Sequence, residues 1–223
     1  MSRLFDENNS NYLSASSAAL PDAPLMISLW FRVTDLSTTN DQVLFNIGKA
    51  IGTKGYRIFI DIARTGDLKL AWEVETATES WDIKSISALN ENQWYHVAVR
   101  EIASDARQLW LDGVFQNGNS TDLDPGGLDV TYIGKDVSYS DPFAGDISHV
   151  ALWNTVLTEI DCKSLAAGVS PLRINRGGLV NYWPLNGQSP ETDIVGGLHM
   201  TVNGSLIRST NPPRVRQPMK AGT

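Results

Sequence analysis

Glu73 and Glu75 are the nearest thing in this 223-residue chain to a hydrolytic pair. At i and i+2 on a strand both side chains leave the same face, the arrangement that puts an acid and a nucleophile over one cleft. They run into the turn-like Thr76-Ala77-Thr78, and a solvated acidic face is the plainer expectation. His96, His149 and His199 have no metal-ligand spacing, and no Ser or Cys stands in a nucleophile elbow. His96 and His149 each alternate with apolar neighbours and are expected to be structural. The seven tryptophans offer different chemistry, because an aromatic face stacks on the apolar face of a pyranose ring. Trp72, Trp81 and Trp110 are the candidates for exposure and so for ligand binding. Trp81 lies in the polar run Glu79-Ser80-Trp81-Asp82, and Trp110 alternates away from Leu109 and Leu111.

Composition narrows the partners. A formal charge of −7 and a pI near 4.9 oppose any general affinity for nucleic acid or an anionic membrane, which needs a basic stripe. Hydrophobic residues at 42% and charged residues at 19% are ordinary for a folded domain. The stretch Met1 to Asn9 has no apolar core of signal-peptide length, and no run approaches the roughly 18 apolar residues of a spanning helix, so membrane insertion is not expected. The single cysteine, Cys162, excludes an internal disulfide.

The elements that must hold these residues are strands. Ile27, Leu29, Phe31 and Val33 alternate with Ser28, Trp30 and Arg32, as do Tyr56, Ile58, Ile60 and Ile62 with Arg57, Phe59 and Asp61. Leu68, Leu70, Trp72 and Val74 repeat the pattern after the hairpin composition Arg64-Thr65-Gly66-Asp67. Further strands are expected at 94–100, 108–111, 130–134, 147–153, 179–185 and 198–202. Many strands separated by Gly, Asn and Asp turns make a sandwich or barrel. One helix is expected near 158–167, with Thr158 and Asp161 at capping-box spacing, an apolar face of Ile160, Leu165 and Ala166, and Gly168 and Pro171 as stops. From Arg208 the composition turns basic and proline-rich, which divides the chain into a sandwich over 1–207 and an extended arm over 208–223 carrying Arg214, Arg216 and Lys220.

Four blocks carry a family likeness. Leu4-Phe5-Asp6 with Tyr12-Leu13, and Ile27 to Arg32, look like opening strands. Trp94-Tyr95-His96-Val97-Ala98 leads to Leu109-Trp110-Leu111-Asp112-Gly113. Phe143-Ala144-Gly145-Asp146-Ile147-Ser148-His149-Val150-Ala151-Leu152-Trp153 runs into the helix. Tyr182-Trp183-Pro184-Leu185 precedes Asp193 to Leu198. Together they resemble laminin-G-like and pentraxin-like domains of the concanavalin A-like lectin/glucanase superfamily. The resemblance implies an all-β jelly-roll sandwich of two antiparallel sheets, and it places Trp30, Trp94, Trp153 and Trp183 inside fold-defining motifs, where core packing is expected.

It also implies chemistry to test. Pentraxin-like domains hold calcium with acids in the loop before the Phe-x-Gly-Asp-Ile strand, where this chain has Asp136 and Asp141. Their second, earlier loop reads here Lys49-Ala50-Ile51-Gly52-Thr53-Lys54-Gly55, with lysines in place of acids. Asp6 or Asp193 offers a second kind of calcium site. Glycoside hydrolases on this sandwich carry Glu-x-Asp-x-Glu, and Glu73-Val74-Glu75 lacks the central Asp, so catalysis is not expected. Laminin-G-like sandwiches are mostly recognition modules, and copies without a signal peptide also resemble structural proteins of tailed phages. The leading expectation is a non-catalytic virion surface protein, a capsid decoration or tail accessory. Its arm would dock on a second copy or another virion protein, and it would contact glycans. The alternative is an autonomous carbohydrate-binding lectin, extracellular by another export route; a glycoside hydrolase is third.

Overall fold

A computed structural model describes residues 2–8, 10–20, 24–52, 55–137, 141–209 and Val215. The strands pair into two antiparallel sheets, numbered here in chain order. The eight-stranded sheet runs β10 (Val114–Asn119), β9 (Ala106–Leu111), β8 (Tyr95–Ala103), β3 (Leu25–Val33), β12 (Gly145–Trp153), β1 (Ser2–Phe5) and β15 (Ile207–Ser209), with β13 (Leu179–Trp183) also on β12. The seven-stranded sheet runs β14 (Thr201–Asn203), β2 (Tyr12–Ala15), β11 (Val130–Ile133), β4 (Gln42–Gly48), β5 (Gly55–Asp61), β6 (Lys69–Glu75) and β7 (Ser80–Lys84). This is the jelly-roll sandwich expected from the sequence. β15 extends the first sheet through Arg208 and Ser209, the first two residues of the segment read as an arm. No helix among the described residues is long and apolar enough to cross a membrane.

The alternating residues meet between the sheets. Ile27, Leu29, Phe31, Val97, Val99 and Leu109 from one sheet pack against Ile47, Tyr56, Ile58, Ile60, Leu70, Trp72 and Val74 from the other, and each is at most 1% exposed. At about 1.5–3 kcal/mol for each large side chain removed from water, this layer dominates stability. Trp72, expected at the surface, is therefore a core residue, because it shares a face with Leu70 and Val74.

The motif Phe143 to Trp153 builds the centre of the eight-stranded sheet. Gly145 has φ +148°, and a Cβ there would lie 2.1 Å from the Arg32 carbonyl oxygen, so β12 can approach β3 only with glycine. At His149, φ +52°, the pairing with β3 slips between Ser148 and Ala151. That bulge redirects β12, whose first half pairs with β1 and whose second half pairs with β13.

A second cluster lies on the outer face of this sheet. Met26, Ala98, Trp110, Ala151 and Trp153 are covered by the helix α1 (Glu159–Ala166) and its flanks, through Leu157, Cys162, Leu165 and Ile174. Trp110 does face away from the main core, as its alternation implies, but the helix region covers it and leaves it 3% exposed. The inward residues of α1 are Cys162 and Leu165, whereas Ile160, expected on the apolar face, is 73% exposed. The capping box forms as expected: Thr158 accepts from the Asp161 N–H, and the Asp161 carboxylate accepts from the Thr158 N–H. Thr158→Ala should cost about 1 kcal/mol in urea unfolding, with Trp110 becoming more accessible if the helix frays.

Candidate functional site

The outer face of the seven-stranded sheet carries the charge. Because Tyr56, Ile58 and Ile60 point inward, Arg57 and Phe59 point out, and the register across the hairpin sets Arg57 opposite Glu73 and Phe59 opposite Ala71. Val43, Phe59 and Ala71 form a small apolar pad, wholly buried although it lies outside the main core. Two guanidinium groups cover it, Arg57 at 4.3 Å and Arg64 at 5.0 Å from the Phe59 ring centre. Both then converge on Glu73. Arg57 donates to Oε2 from Nε at 3.0 Å and Nη2 at 2.6 Å, and Arg64 donates to Oε1 at 2.6 Å and Oε2 at 3.1 Å.

The surrounding acids fix the two arginines from the other side. Arg57 Nη1 is 3.4 Å from both Asp136 and Asp141, and Arg64 Nε is 3.4 Å from Asp41. Asp41 also accepts from the Ile62 and Ala63 N–H groups and so anchors the end of β5. Burial would raise the Glu73 carboxyl, but hydrogen bonds and charge from Arg64 and Arg57 outweigh it and hold the group below its usual range. Asp141 goes the other way: burial pushes it up to about 6, with Arg57 opposing and Asp136 adding. Between the ordinary aspartate value and about 6, the folded chain then holds a proton that the unfolded chain has lost. This group's contribution to stability therefore rises as pH falls through 6. Asp141→Asn should make unfolding stability less dependent on pH between 6 and 5 than in the parent; an unchanged difference curve over that window would contradict the assignment.

Beside this network the edge strand β7 opens a cleft of about 250 Å³ lined by Arg64, Glu73, Ser80, Trp81 and Asp82. Asp82 pairs across from Glu73 on the outer face, whereas Trp81 pairs across from the core residue Val74 and so leaves the other face at the sheet edge, where it is 53% exposed. Burial raises the Asp82 carboxyl, Lys84 opposing and Glu73 adding. Lys84 is itself bound to Asp61. The cleft thus gathers charged hydrogen-bonding groups on the outer face, and the exposed Trp81 ring leaves the other face of the same edge strand between Ser80 and Asp82.

The strand order and this charged outer face can be set beside known proteins. A laminin-G family model, described as the concanavalin A-like lectin/glucanases superfamily, matches residues 6–161. The chain belongs to that superfamily. A candidate carbohydrate-binding protein from Bacteroides ovatus has a similar fold, with TM-score 0.71 and 20% identity over 96% of this chain; the chain spans 61% of that protein. The heptameric SAP-like pentraxin of Limulus polyphemus aligns with TM-score 0.56 and 14% identity, covering 74% of this chain and 81% of its own. The CBM40 domain of the Ruminococcus gnavus IT-sialidase, bound to α2,3-sialyllactose, aligns with TM-score 0.53 and 13% identity, covering 69% of this chain and 93% of its own. No curated protein matches at a significant level.

Within this concanavalin A-like sandwich the residues singled out from sequence separate. Trp81 is exposed on the edge strand that borders the Glu73 cleft, whereas Trp72 and Trp110 are buried elsewhere. Glu73 is 2% exposed and locked between arginines, which corrects the expectation of a solvated face. Glu75 lies farther along β6, opposite Ser80. Asp136 and Asp141 do come together, but on the Arg57 guanidinium. A cation already stands between them, and two carboxylates fall short of the six to eight oxygens calcium takes. Asp193 is saturated by N–H donors from Asn181, Tyr182, Val195, Gly196 and Leu198, and Asp6 accepts from Asn8 and Asn11. Among the described residues no group of three or more His, Cys, Asp or Glu could hold a metal, so the residues present do not fit a calcium cage. His96 bonds Ser28 and His149 bonds Tyr182; burial lowers both imidazoles to about 3, so they are neutral in ordinary buffers. Arg214, Arg216 and Lys220 lie outside the described residues. Arg64 and Asp82 were not foreseen from sequence.

Proposed function

We propose that this chain is a non-catalytic carbohydrate-binding module whose ligand enters the Trp81 cleft. The observation that carries the reading is a half-exposed indole on the edge strand that also borders the cleft of Arg64, Glu73 and Asp82, polar groups already held in place. Such a site supplies an apolar platform for C–H groups and fixed partners for hydroxyls, with little ordering cost on binding. Carbohydrate binding named for the Bacteroides ovatus and Ruminococcus gnavus proteins supports it at the level of a shared fold. The charge of the cleft refines the ligand. Arg64 is already paired with Glu73, and Asp82 adds a further carboxylate, so neutral saccharides should bind in preference to acidic ones.

Hydrolysis is disfavoured by the same geometry. Both Glu73 oxygens accept from arginine, which leaves the carboxylate a weak nucleophile and, with its depressed pKa, a poor proton donor. The virion reading drew on the arm, and neither the fold nor the similar structures add support to it. The purified chain applied to an array of neutral and sialylated glycans tests the proposal. Saturable binding to neutral glycans is expected; a flat response, or binding confined to sialylated glycans, would refute it.

A further inference from the structure

Another groove lies on the opposite sheet. Its site, of about 330 Å³, sits on the outer face where β8, β9 and β10 end, and includes Ile102, Asp105, Gln108, Phe115, Gly118 and Asn119 in its lining. We infer that this groove is a second saccharide-binding subsite, with the ring of Phe115 as its wall, Gly118 as its floor and the side-chain amide of Gln108 as its hydroxyl-binding group. This rests on the reading of the chain as a carbohydrate-binding module, but not on the Trp81 cleft being occupied.

Each part is set by a neighbour. Phe115 pairs with Trp110 across β9 and β10, and the two rings meet edge to face at 5.6 Å. Trp110 is pinned beneath the helix region, so the Phe115 ring stands on a rigid base while remaining 45% exposed. A pre-placed aromatic surface of this kind binds a sugar face without first having to be ordered. Gly118 keeps the space beside it open, since a Cβ there would come 3.0 Å from the Arg107 carbonyl oxygen and 3.8 Å from the Phe115 ring. Ile102, 40% exposed, adds apolar surface.

The polar groups also point to a ligand. Gln108 uses its carbonyl oxygen to accept from the Trp110 indole N–H at 3.4 Å, and Asn119 uses its own to accept from the Thr121 N–H at 2.8 Å. Each amide is thereby oriented, and its NH2 group has no partner among the described residues. Gln108 shares the face of the Phe115 ring, and a fixed NH2 donor beside an open aromatic ring matches a saccharide, which offers oxygens at its rim and C–H groups on its face. A purely apolar ligand would leave that donor unanswered. Gln116 accepts from the Ile86 N–H at 3.0 Å, tying β10 to the segment after β7. The edge strands bordering the two sites, β10 and β7, are thus in contact at one side of the sandwich.

The test is an amide-resolved NMR titration of the full chain with cellohexaose, xylohexaose and mannohexaose in turn. Saturable shifts at Gln108, Phe115 and Gly118 are expected with at least one of them. Phe115→Ala should weaken that binding at least tenfold, Phe115→Trp should retain it, and Trp81→Ala should leave it unchanged. Gln108→Ala, which keeps the ring packing, should weaken it several-fold and guards against a folding artefact in the Phe115 variant. Shifts confined to the Trp81 cleft would overturn this inference and leave the proposed function standing. Shifts in the groove that ignore Trp81→Ala, with the Trp81 cleft silent, would uphold it and displace the proposed site. Silence at both sites with all three sugars would overturn both.

Discussion

Glu73→Ala should destabilise the fold by about 3–5 kcal/mol, the cost of removing one partner from a buried ion pair. The size follows from what the substitution strands. The Arg57 side chain is only 6% exposed and lies over a buried apolar pad, so its charge cannot recover water when its main partner is lost. Asp136 and Asp141 remain, but at 3.4 Å each they are weaker partners than the two Glu73 contacts at 2.6 and 3.0 Å. Arg64, with a side chain 40% exposed, can turn toward solvent and should contribute less to the loss. Urea unfolding measures the effect, and a fall in Tm on the order of 10 °C should accompany it for a chain of this size. A loss below about 1 kcal/mol for Glu73→Ala would mean that the network is not buried as described.

Trp81→Ala should weaken saccharide binding at the Trp81 cleft by about 30-fold or more while leaving stability nearly unchanged. The binding loss corresponds to a central aromatic contact of about 2 kcal/mol. The stability side follows from exposure: more than half of the ring is already in water, and its strand lies at the sheet edge. Trp72→Ala is the natural contrast. That ring is 1% exposed in the main core, and its removal should cost about 3–5 kcal/mol of folding stability. Titration calorimetry on both variants, beside urea unfolding, separates a ligand platform from a core residue. Equal affinity in the parent and Trp81→Ala would remove this cleft from the account.

Most of the architecture was legible in the chain, for reasons that also explain the gaps. Strands with one buried face and one different face announce themselves by alternation, as Ile27 to Val33 and Tyr56 to Ile60 do. β4 does not, because its register shifts between Val43 and Phe45, which puts the neighbours Leu44 and Phe45 both in the main core and breaks the alternation. β7 and β10 are edge strands with largely exposed side chains, so little apolar period is imposed on them. The capping box of α1 was readable because it is a local arrangement of four residues. Its inward face was not, since Ile160 points to solvent and the buried positions are Cys162 and Leu165, chosen by the underlying sheet.

The candidate site was legible only in part. Trp81 stood out because its neighbours are polar. Trp110 was placed on the correct side of its strand, yet alternation says nothing about a helix arriving from fifty residues downstream to cover it. Glu73 looked like one of a pair of exposed acids, whereas its partners come from across the hairpin and from the turn itself. The hairpin at Arg64–Asp67 was visible, but counting outward from it sets Arg57 opposite Val74; the observed register, with Asp61 opposite Lys69, is one residue off that and joins Glu73 to Arg57. The distant acids Asp136 and Asp141 reach that network through long-range packing that no local pattern encodes.

The central claim is that sugar is recognised on the Trp81 ring, and the indole N–H signal of Trp81 tests it most directly. Its cross-peak can be assigned in the full chain by its disappearance in Trp81→Phe, then followed during titration with the best neutral glycan from the array. The account predicts a saturable shift of that peak, with the signals of the buried Trp72 and Trp183 unmoved. Saturable binding of the glycan with the Trp81 peak unmoved would contradict it.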